Sequence, residues 1–399
     1  ITQIPKSMNI DINKWAHYLS SVGVNFINPY ECFAPGTKVI MANGDVKNIE
    51  NIKVGDQVMG RDGTPRNVLH THNGIDHMYR LKSRSGSDDQ VVNSKHKIHY
   101  LERNYNNDFQ EKLSTAQEIL LDSSYKKDFK YLERVDNINI ERDVNLLLDP
   151  YFLGLWLGDG SSRDASITTC DNEIIEYLQK YAKQNQLKWS IESMPENKAI
   201  LFRLFNRDFR KNPLMESLRH LNVLNNKHIP KDYIYSSEQD RLKLLAGLID
   251  SDGYYSKSDN YYTIVQEKKR DHVIYDAAFI ARSLGFKCTI NSYKDKRYDN
   301  CEMLHLNILE GDKAIPTKIR RKQAKLNKKR GWKNLSNFKV EYEGIGEFYG
   351  IHIDGDHLFL LNDFTVVHNT GWDIPGRDGS NPAAFNQISA MDLTMANVI

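Results

Sequence analysis

Short runs of β-branched residues dominate the chain from residue 32 to about residue 135. These runs are interrupted by the dipeptides Asn43-Gly44 and Asp62-Gly63. Such dipeptides favour tight hairpin turns, because the central positions of those turns need residues that tolerate a positive φ. The pattern therefore predicts a compact all-β unit at this end of the chain.

The same texture returns near residue 338, where strand-like runs are again separated by turn signals such as Asp354-Gly355. A domain that is interrupted by an insertion needs the two ends of the break to lie close together. The simplest topology therefore joins both β pieces into one domain around the segment between them.

A mixed pattern of helices and strands fills that middle segment and occurs twice. Each copy begins with an apolar run that ends in Asp-Gly, at Asp159 and at Asp252, which lie 93 positions apart. A strand-like run, an amphipathic helix and two more strand-like runs belong to each copy. Two copies with so long a period predict a pseudo-twofold α/β domain rather than a solenoid.

These patterns divide the chain of 399 residues into five parts. We predict a flanking fragment at 1–31, the first part of the β domain at 32–140, the α/β repeat at 141–335, the second part of the β domain at 336–369 and another flanking fragment at 370–399.

Composition narrows the class of protein without identifying partners. Hydrophobic residues make up 40% and charged residues 27%, which is ordinary for a globular protein, and the formal net charge is only +2. Between Lys313 and Lys333, however, there are ten Lys or Arg and no acid. A short charged run is usually a solvated helix face, but a long one-signed run also suits contact with phosphates.

The apolar runs and the cysteines indicate the surroundings of the protein. No apolar run approaches the length that spans a bilayer, so no membrane partner is expected. The four cysteines form no CxxC pair, which argues against a zinc site and a disulfide scaffold. A reducing, intracellular compartment is therefore expected, the cytoplasm with access to the nucleus in a eukaryotic cell.

Three residues at the edges of the β domain suit a rearrangement of the peptide backbone. The thiol of Cys32 can attack the preceding carbonyl and form a thioester. The hydroxyl of Thr370 can then accept the acyl group, and Asn369 can cyclise through its side-chain nitrogen and cut the chain behind itself. An isolated cysteine is more often a buried hydrophobic residue, but the pairing with Asn369 and Thr370 argues against that role here.

Three segments resemble the splicing motifs of inteins of the Hint superfamily, in particular the type found in fungal vacuolar ATPases. They are "CFAPGTKVIMANGDVKNIENIKVGDQVMG", "VVNSKHKIHYL" and "FYGIHIDGDHLFLLNDFTVVHNT". The resemblance implies an all-β Hint splicing domain that excises residues 32–369 and joins the flanking exteins without a cofactor.

The same resemblance implies roles for single residues. His96 acts at the amide of Cys32 with the help of Asn93, and the closing histidines His357 and His368 serve the cyclisation of Asn369. Histidine suits such roles because its ordinary pKa lies near neutral pH.

Two residues depart from the usual form of the second motif. Asn93 stands where the motif usually has Thr, as in relatives of the vacuolar-ATPase type, and Lys95 replaces a small hydroxyl residue. Thr370 is also a less common acceptor than Ser or Cys.

The two apolar runs of the repeat suit a pair of helices that deliver acids to one place. Gly154 and Gly247 have no side chain, so the two helices can approach closely. Each helix then ends at an acid, Asp159 or Asp252, that is followed by a glycine. Two adjacent carboxylates are suitable ligands for Mg²⁺, which can activate water for phosphodiester cleavage.

"LLAGLIDSDG" differs from the LAGLIDADG signature of homing endonucleases only at Ser251, and "FLGLWLGDG" is its degenerate partner. The resemblance implies an inserted α/β domain with a pseudo-twofold αββαββα order. Its strands would lie along double-stranded DNA, and a monomer would cleave both strands at a long, imperfectly palindromic site in the intein-less host gene. Mg²⁺ would be bound by Asp159 and Asp252.

By the same resemblance, Lys227 matches a basic residue that supports cleavage. Its counterpart in the second copy stays open between Lys313, Lys318 and Arg320. Asp250 has no partner acid in the first copy, where Leu157 stands, so it is left outside the predicted site.

Three other interpretations compete with a bifunctional intein. A free-standing LAGLIDADG nuclease or RNA maturase does not explain the β flanks, and a Hedgehog-like autoprocessing domain lacks the Asn369-Thr370 pair. A decayed intein that has lost one or both activities is opposed by the presence of Cys32, Asn369, Asp159 and Asp252.

Overall fold

The computed structural model describes residues 31–84, 87–122, 128–136, 138–193, 199–206, 212–295, 301–309, 313–326 and 334–369. The helix-like stretch of the first flank, Thr370 and the end of the basic run lie outside these ranges. Within them, no helix is both long and apolar enough to cross a membrane.

The first β piece begins with a series of short strands around one long strand. Its strands are β1 Lys38–Ile40, β2 Val46–Asn48, β3 Gln57–Met59, β4 Pro65–Ser83, β5 Gln90–Asn93, β6 Lys97–Arg103, β7 Phe109–Thr115 and β8 Lys130–Glu133. A 3₁₀ turn, Ile49–Asn51, and helix α1, Ala116–Leu121, complete this piece. The second β piece, given below with its pairing, follows the α/β segment.

Both β pieces meet in one sheet. The second piece contains β16 Leu335–Ile353, β17 Leu358–Leu360 and β18 Val366–His368. Strand β16 pairs with β4 along almost its whole length, and the sheet has the order β3-β4-β16-β8-β6-β7 with β5 paired to β4. Residues that are nearly 300 positions apart therefore share one domain, as an interrupted domain requires.

The turns of the first piece are longer than the tight hairpin turns that the sequence predicts. Five residues separate β1 from β2, and a bond from the N–H of Met41 to the carbonyl of Asp45 closes this loop at 2.8 Å. Only Gly44 has a positive φ, +84°, whereas the predicted turn needs two such residues. The side chain of Asn43 instead accepts the N–H of Asp45.

The inserted segment forms two α/β units. The first contains α2 Pro150–Asp159, β9 Ile167–Thr169, α3 Asn172–Gln184, β10 Lys188–Ser193, β11 Ile200–Phe205 and α4 Pro213–His220. The second contains α5 Lys231–Ile234, α6 Glu238–Asp252, β12 Gly253–Ser256, β13 Tyr261–Glu267, α7 Asp271–Ser283, β14 Lys287–Asp295 and β15 Cys301–Leu309, with 3₁₀ turns at Lys268–Arg270 and Arg320–Lys322.

The two units differ in their first hairpin. The second unit has a sheet of order β12-β13-β15-β14, whereas the first has β10-β11-β9. A single bridge between Gly160 and Ile167 stands where the second unit has the β12–β13 pair. The predicted αββαββα order is therefore complete in the second unit and shortened in the first.

Helices α2 and α6 pack side by side through their glycines. The side chain of Asp149 caps α2 by accepting the N–H of Phe152, and Ser237 caps α6 in the same way. A Cβ at Gly154 would lie only 2.9 Å from the N of Leu248 in the facing helix. This contact leaves no room for a side chain and brings the ends of both helices together.

The inserted domain and the β domain share a core. The closing hairpin of β17 and β18 contributes Leu358, Leu360, Phe364 and Val366 to the same buried cluster as the helices of the insertion. The rings of Phe364 and Phe279 of α7 lie 5.2 Å apart. The closing hairpin therefore rests on the inserted domain.

Candidate functional site

Cys32 lies in the interior of the β domain, beside the motif that contains Asn93. Its Sγ packs with Met78 and Phe348, and its residue is fully buried. The N–H of Cys32 donates to Oδ1 of Asn93 at 3.0 Å, and the N–H of Asn93 donates to the carbonyl of Cys32 at 3.0 Å. The peptide bond between Glu31 and Cys32 is thus held from both sides by one residue.

Asp76 fixes the direction of the Asn93 amide. Its Oδ2 accepts Nδ2 of Asn93 at 3.3 Å and Oγ of Ser94 at 2.8 Å. Because an amide nitrogen faces this carboxylate, the Oδ1 of Asn93 must face the N–H of Cys32. The sequence analysis missed Asp76, since only the pairing of β4 with β5 places it beside Asn93.

His96 is buried under the ring of Phe33, with the two ring centroids 4.4 Å apart. Its Nδ1 has no hydrogen-bond partner among the described residues. Burial lowers the pKa of His96 to about 3, and the nearby His368 contributes to this lowering. The imidazole is therefore neutral at neutral pH and able to accept a proton.

The thiol of Cys32 is held in its protonated form. Burial raises its pKa well above the ordinary value, and the carboxylates of Glu31 and Asp76 raise it as well. Gly350 leaves the space for this thiol, because a Cβ there would overlap the sulfur and lie 3.0 Å from the carbonyl of Glu31. Attack by Cys32 therefore needs a base that takes the proton.

Asn369 ends the described chain in a buried position. Its N–H donates to the carbonyl of His357 at 2.9 Å. Its Nδ2, the atom that would attack in a cyclisation, has no hydrogen-bond partner among the described residues. An amide nitrogen that is buried without a partner is rare, and it is not restrained by another acceptor.

The two predicted histidines of this junction have different surroundings. His357 adopts a positive φ of 60°, and its Nδ1 lies 3.2 Å from the carbonyl of Ile353. The ring of His368 lies 6.3 Å from that of His357, and its Nδ1 is 2.7 Å from Oε2 of Glu31.

Both junctions therefore meet in one site. Glu31 precedes the first junction and touches the histidine that precedes the second, although 337 positions separate the two residues. The structure brings together Cys32, Asn93, His96, His357, His368 and Asn369, whereas Thr370 lies outside the described residues.

A second group of polar residues lies where α2 and α6 end. A Cβ at Gly158 would lie 3.2 Å from Cγ of Asp252, which shows how closely the ends approach. Burial, and then the charge of Asp252, raises the pKa of Asp159 to about 6, while Lys322 and Lys227 oppose this rise. Gln266 donates to Oδ2 of Asp252 at 2.8 Å.

Two lysines occupy equivalent positions at these helix ends. Nζ of Lys227 donates to the carbonyls of Gly158 at 2.9 Å and Gly160 at 2.7 Å, at the end of α2. Nζ of Lys322 donates to the carbonyls of Ile249 and Asp250 at the end of α6, each at 2.8 Å. Each lysine thus supports one of the two acids.

The three basic residues that the sequence left open lie elsewhere. Lys313 pairs with Glu238 at 3.0 Å, Lys318 lies over the ring of Tyr151, and the backbone of Arg320 contacts Glu173. The sequence analysis missed Lys322, although its distance from Lys227 nearly matches the repeat period and was a usable signal.

Asp250 has a structural role that agrees with its omission from the predicted site. It is buried and accepts the hydroxyl of Tyr151 at 2.6 Å and the N–H of Lys318 at 2.6 Å. No cluster of three or more His, Cys, Asp or Glu side chains suited to a metal occurs in the described ranges. A metal at Asp159 and Asp252 would need further ligands from outside the protein.

Two family models match separate parts of the chain. The model described as Hom_end-associated Hint matches residues 32–147, and the model described as Homing endonuclease matches residues 228–331. The first match covers Cys32 and the motif of His96, and the second covers α6 with Asp252 and the strands that follow it.

Three relatives are similar over parts of their length. The replicative DNA helicase DnaB of Mycobacterium intracellulare is 33% identical over 37% of this chain and 20% of its own length. The catalytic subunit of the V-type proton ATPase of Candida tropicalis is 50% identical over 14% and 5%, and the homothallic switching endonuclease of Saccharomyces cerevisiae is 24% identical over 53% and 42%. The chain thus spans less than half the length of each relative.

A solved structure of a mesophilic variant of the homing endonuclease I-DmoI is 18% identical over 40% of this chain and 87% of its own, with a TM-score of 0.29. The two family matches confirm the expected combination of a Hint domain with an inserted homing endonuclease. The chain therefore belongs to the inteins whose Hint domain carries a homing endonuclease.

Proposed function

We propose that the protein excises its residues 32–369 and joins the segments before and after them. The observation that carries this proposal is the meeting of both junctions in one buried site, where Glu31 touches His368. A site for a single hydrolysis needs no such contact between the two ends.

The residues at the first junction suit the formation of a thioester. Neutral His96 takes a proton, and Sγ of Cys32 attacks the carbonyl carbon of Glu31 while the C–N bond breaks. Oδ1 of Asn93 accepts from the departing nitrogen, whose developing ammonium charge is stabilised by the carboxylate of Asp76. The same carboxylate opposes the thiolate in the resting site, so the gain is largest in the transition state.

The later steps use the second junction. The hydroxyl of Thr370 attacks the thioester, the C–O bond forms, the C–S bond breaks and the proton returns to Cys32. Nδ2 of Asn369 then attacks its own carbonyl carbon and releases residues 32–369 as a succinimide. The free Nδ2 suits this attack, and His368 with His357 lies beside it.

Mass spectrometry of the purified full chain tests this proposal. We expect an excised product of 338 residues and a joined product of both flanks. Asn369→Ala should stop release at the second junction but still allow a thiol to cleave the first. An intact chain under reducing conditions, with no thiol cleavage in this variant, would refute splicing.

A second activity, cleavage of double-stranded DNA, is favoured by the paired helix ends. Asp159 and Asp252 face each other with a lysine beside each helix end. The homothallic switching endonuclease, a relative over 53% of this chain, supports the same class of reaction. The two carboxylates would hold Mg²⁺, and phosphate oxygens of the DNA and water would complete its ligands.

The bound cations would supply an activated water and stabilise the leaving oxygen. Lys227 and Lys322 would add positive charge where the scissile phosphates lie. Because the two acids come from pseudo-equivalent helices, one chain would act as a monomer on a long, imperfectly palindromic site at the intein-less host allele.

Cleavage of a plasmid that carries the joined host sequence tests this activity. We expect Mg²⁺-dependent double-strand breaks, which Asp159→Ala with Asp252→Ala abolishes. Lys322→Met should reduce cleavage as Lys227→Met does, whereas Lys313→Met should not. Cleavage that survives the double alanine variant would show that another site is responsible.

A further inference from the structure

The residue before the first junction makes a contact that splicing chemistry by itself does not require. The side chain of Glu31 is almost fully buried, with 2% of its surface exposed. Its Oε2 is 2.7 Å from Nδ1 of His368, and its Oε1 is 3.8 Å from Nζ of Lys97. Glu31 belongs to the flanking segment and not to the excised part.

We propose that Glu31 is a positioning residue that delays cleavage at the second junction until the acyl group has left Cys32. This inference rests on the proposed splicing function. In it, the host segment supplies a carboxylate that occupies the catalytic histidine of the opposite junction.

The geometry of histidine makes this contact a competitor. Nδ1 is the ring nitrogen nearer to the backbone, so it is the nitrogen that can reach the carbonyl of the next residue, Asn369. A donor that is bonded to a carboxylate forms a charge-assisted hydrogen bond, which is stronger than one to a peptide carbonyl. While Glu31 accepts from Nδ1, the carbonyl of Asn369 lacks this donor.

Acyl transfer changes the attachment of Glu31. Its carbonyl carbon starts on the nitrogen of Cys32, passes to Sγ of Cys32 and ends on the oxygen of Thr370. The first position is fixed by the hydrogen bonds around Cys32, among them the bond to Asn93 at 3.0 Å. Once the C–S bond breaks, Glu31 is no longer held there, and His368 can donate to Asn369.

The burial of the contact adds to its strength. Glu31, Asn369 and the ring of His96 are shielded from water, and the attraction between a carboxylate and an imidazole proton is stronger in such surroundings. Lys97, with 48% of its side chain exposed, is too solvated to replace His368 as the partner of Glu31.

The test measures cleavage at the second junction in full-length chains that cannot form the thioester. With Cys32→Ala the acyl group stays in place, and we expect slow release of residues 370–399. Adding Glu31→Gln should raise that rate about tenfold, since an amide oxygen is a weaker acceptor than a carboxylate. Glu31→Asp should lie between the two, and Glu347→Gln, which changes an exposed carboxylate on β16, should have no effect.

A second measurement uses chains with an intact Cys32. Glu31→Gln should shift the products from joined flanks towards separate ones, because the second junction then breaks before acyl transfer. An unchanged or lower cleavage rate in the Cys32→Ala, Glu31→Gln chain would overturn the inference, since it would mean that Glu31 assists His368 or is neutral.

The outcome is separate from that of the proposed function. If the unaltered chain forms neither thioester nor joined flanks, splicing itself is refuted. If it splices and Glu31→Gln leaves the order of steps unchanged, only the role of Glu31 is refuted. A general loss of structure would lower both cleavage rates and could not raise the second one.

Discussion

At the scale of single residues, the first junction depends on an amide whose direction is set by a carboxylate. Asn93 can present either its oxygen or its nitrogen to Cys32, and only the oxygen accepts the N–H of the scissile bond. Asp76 selects the oxygen by accepting the nitrogen, at 3.3 Å. The chemistry of the junction therefore extends to a residue that touches neither the thiol nor the carbonyl.

Asp76→Asn should slow thiol-induced cleavage between Glu31 and Cys32 about tenfold, because it removes a charged acceptor that contributes about 1.5–3 kcal/mol. The rate is measured in the Asn369→Ala chain. Release at the second junction should not change, and Asp108→Asn, on the exposed turn between β6 and β7, is the matched control. Equal rates for Asp76→Asn and the control would contradict the role of Asp76.

His96 gives the unreactive Cys32→Ala, Asn369→Ala chain a pH-dependent stability. Burial lowers its folded pKa to about 3, whereas an unfolded histidine binds a proton near pH 6.5. The stabilising effect of the neutral ring is thus complete above about pH 6.5 and is lost as the pH falls towards 3. The unfolding free energy should fall by about 1.4 kcal/mol per pH unit in this window.

The matched variant is His96→Gln, which lacks the titrating group. Its unfolding free energy, measured with denaturant at pH 6, 5 and 4, should fall less steeply than that of the parent by this amount. Parallel slopes for the two chains would show that His96 binds its proton in the folded state as easily as in the unfolded one.

At the scale of elements, the pair α2 and α6 determines how the two acids meet. The helices touch through backbone atoms, so the separation of Asp159 and Asp252 depends on glycine at the crossing. A Cβ at Gly247 would lie 2.8 Å from the N of Leu155 and 3.0 Å from the carbonyl carbon of Gly154. Backbone atoms on both sides cannot move aside as a flexible side chain would.

Gly247→Ala should therefore lower the unfolding free energy by about 1–3 kcal/mol, the usual cost of overpacking, and should reduce DNA cleavage further by separating the acids. Denaturant unfolding and a plasmid assay measure the two effects. Gly346→Ala is the control, because its nearest neighbour is the flexible side chain of Met78 at 3.2 Å. Equal stability of the two variants would contradict the close contact.

At the scale of the whole molecule, the inserted domain supports the closing hairpin of the Hint domain. Arg282 of α7 is almost completely buried and donates to both oxygens of Asp88, at 2.8 and 3.3 Å. The N–H of Asp88 donates to Asp363 at 2.7 Å, and Asp363 lies in the turn that precedes Asn369. Burial alone would lower the pKa of Arg282, but the nearby Asp88 and Asp363 outweigh it and raise that pKa.

Arg282→Met should reduce splicing more than tenfold, because removing one partner of a buried ion pair costs about 3–5 kcal/mol and leaves the carboxylates of Asp88 and Asp363 without a cation. The same preparation should still cleave DNA, which shows that the inserted domain is folded. Splicing yield by mass spectrometry, beside the plasmid assay, measures both.

Arg142→Met is the matched control at the same domain interface. Arg142 stacks on Tyr235 of the inserted domain and pairs with Asp45 of the Hint domain, in a loop that carries neither junction. Its loss should leave splicing nearly unchanged. An equal loss of splicing in both variants would mean that the interface acts only on overall stability.

The sequence by itself determined the two families, both junctions and the two acids at the helix ends. These features are local, since a thiol, a cyclising amide or an Asp-Gly helix end is recognisable from neighbouring residues. The hairpins of the first β piece were also predicted in place, but with the wrong turns, because loop length depends on the register of β1 with β2.

Tertiary structure decided every role that depends on contact between distant residues. It placed Asp76 beside Asn93, Lys322 beside α6 and Glu31 beside His368, which 337 positions separate along the chain. The side chains of these residues are ordinary charges in the sequence. Burial, strand pairing and the approach of two glycine-containing helices give them partners, and no local pattern encodes which distant residue such a charge will meet.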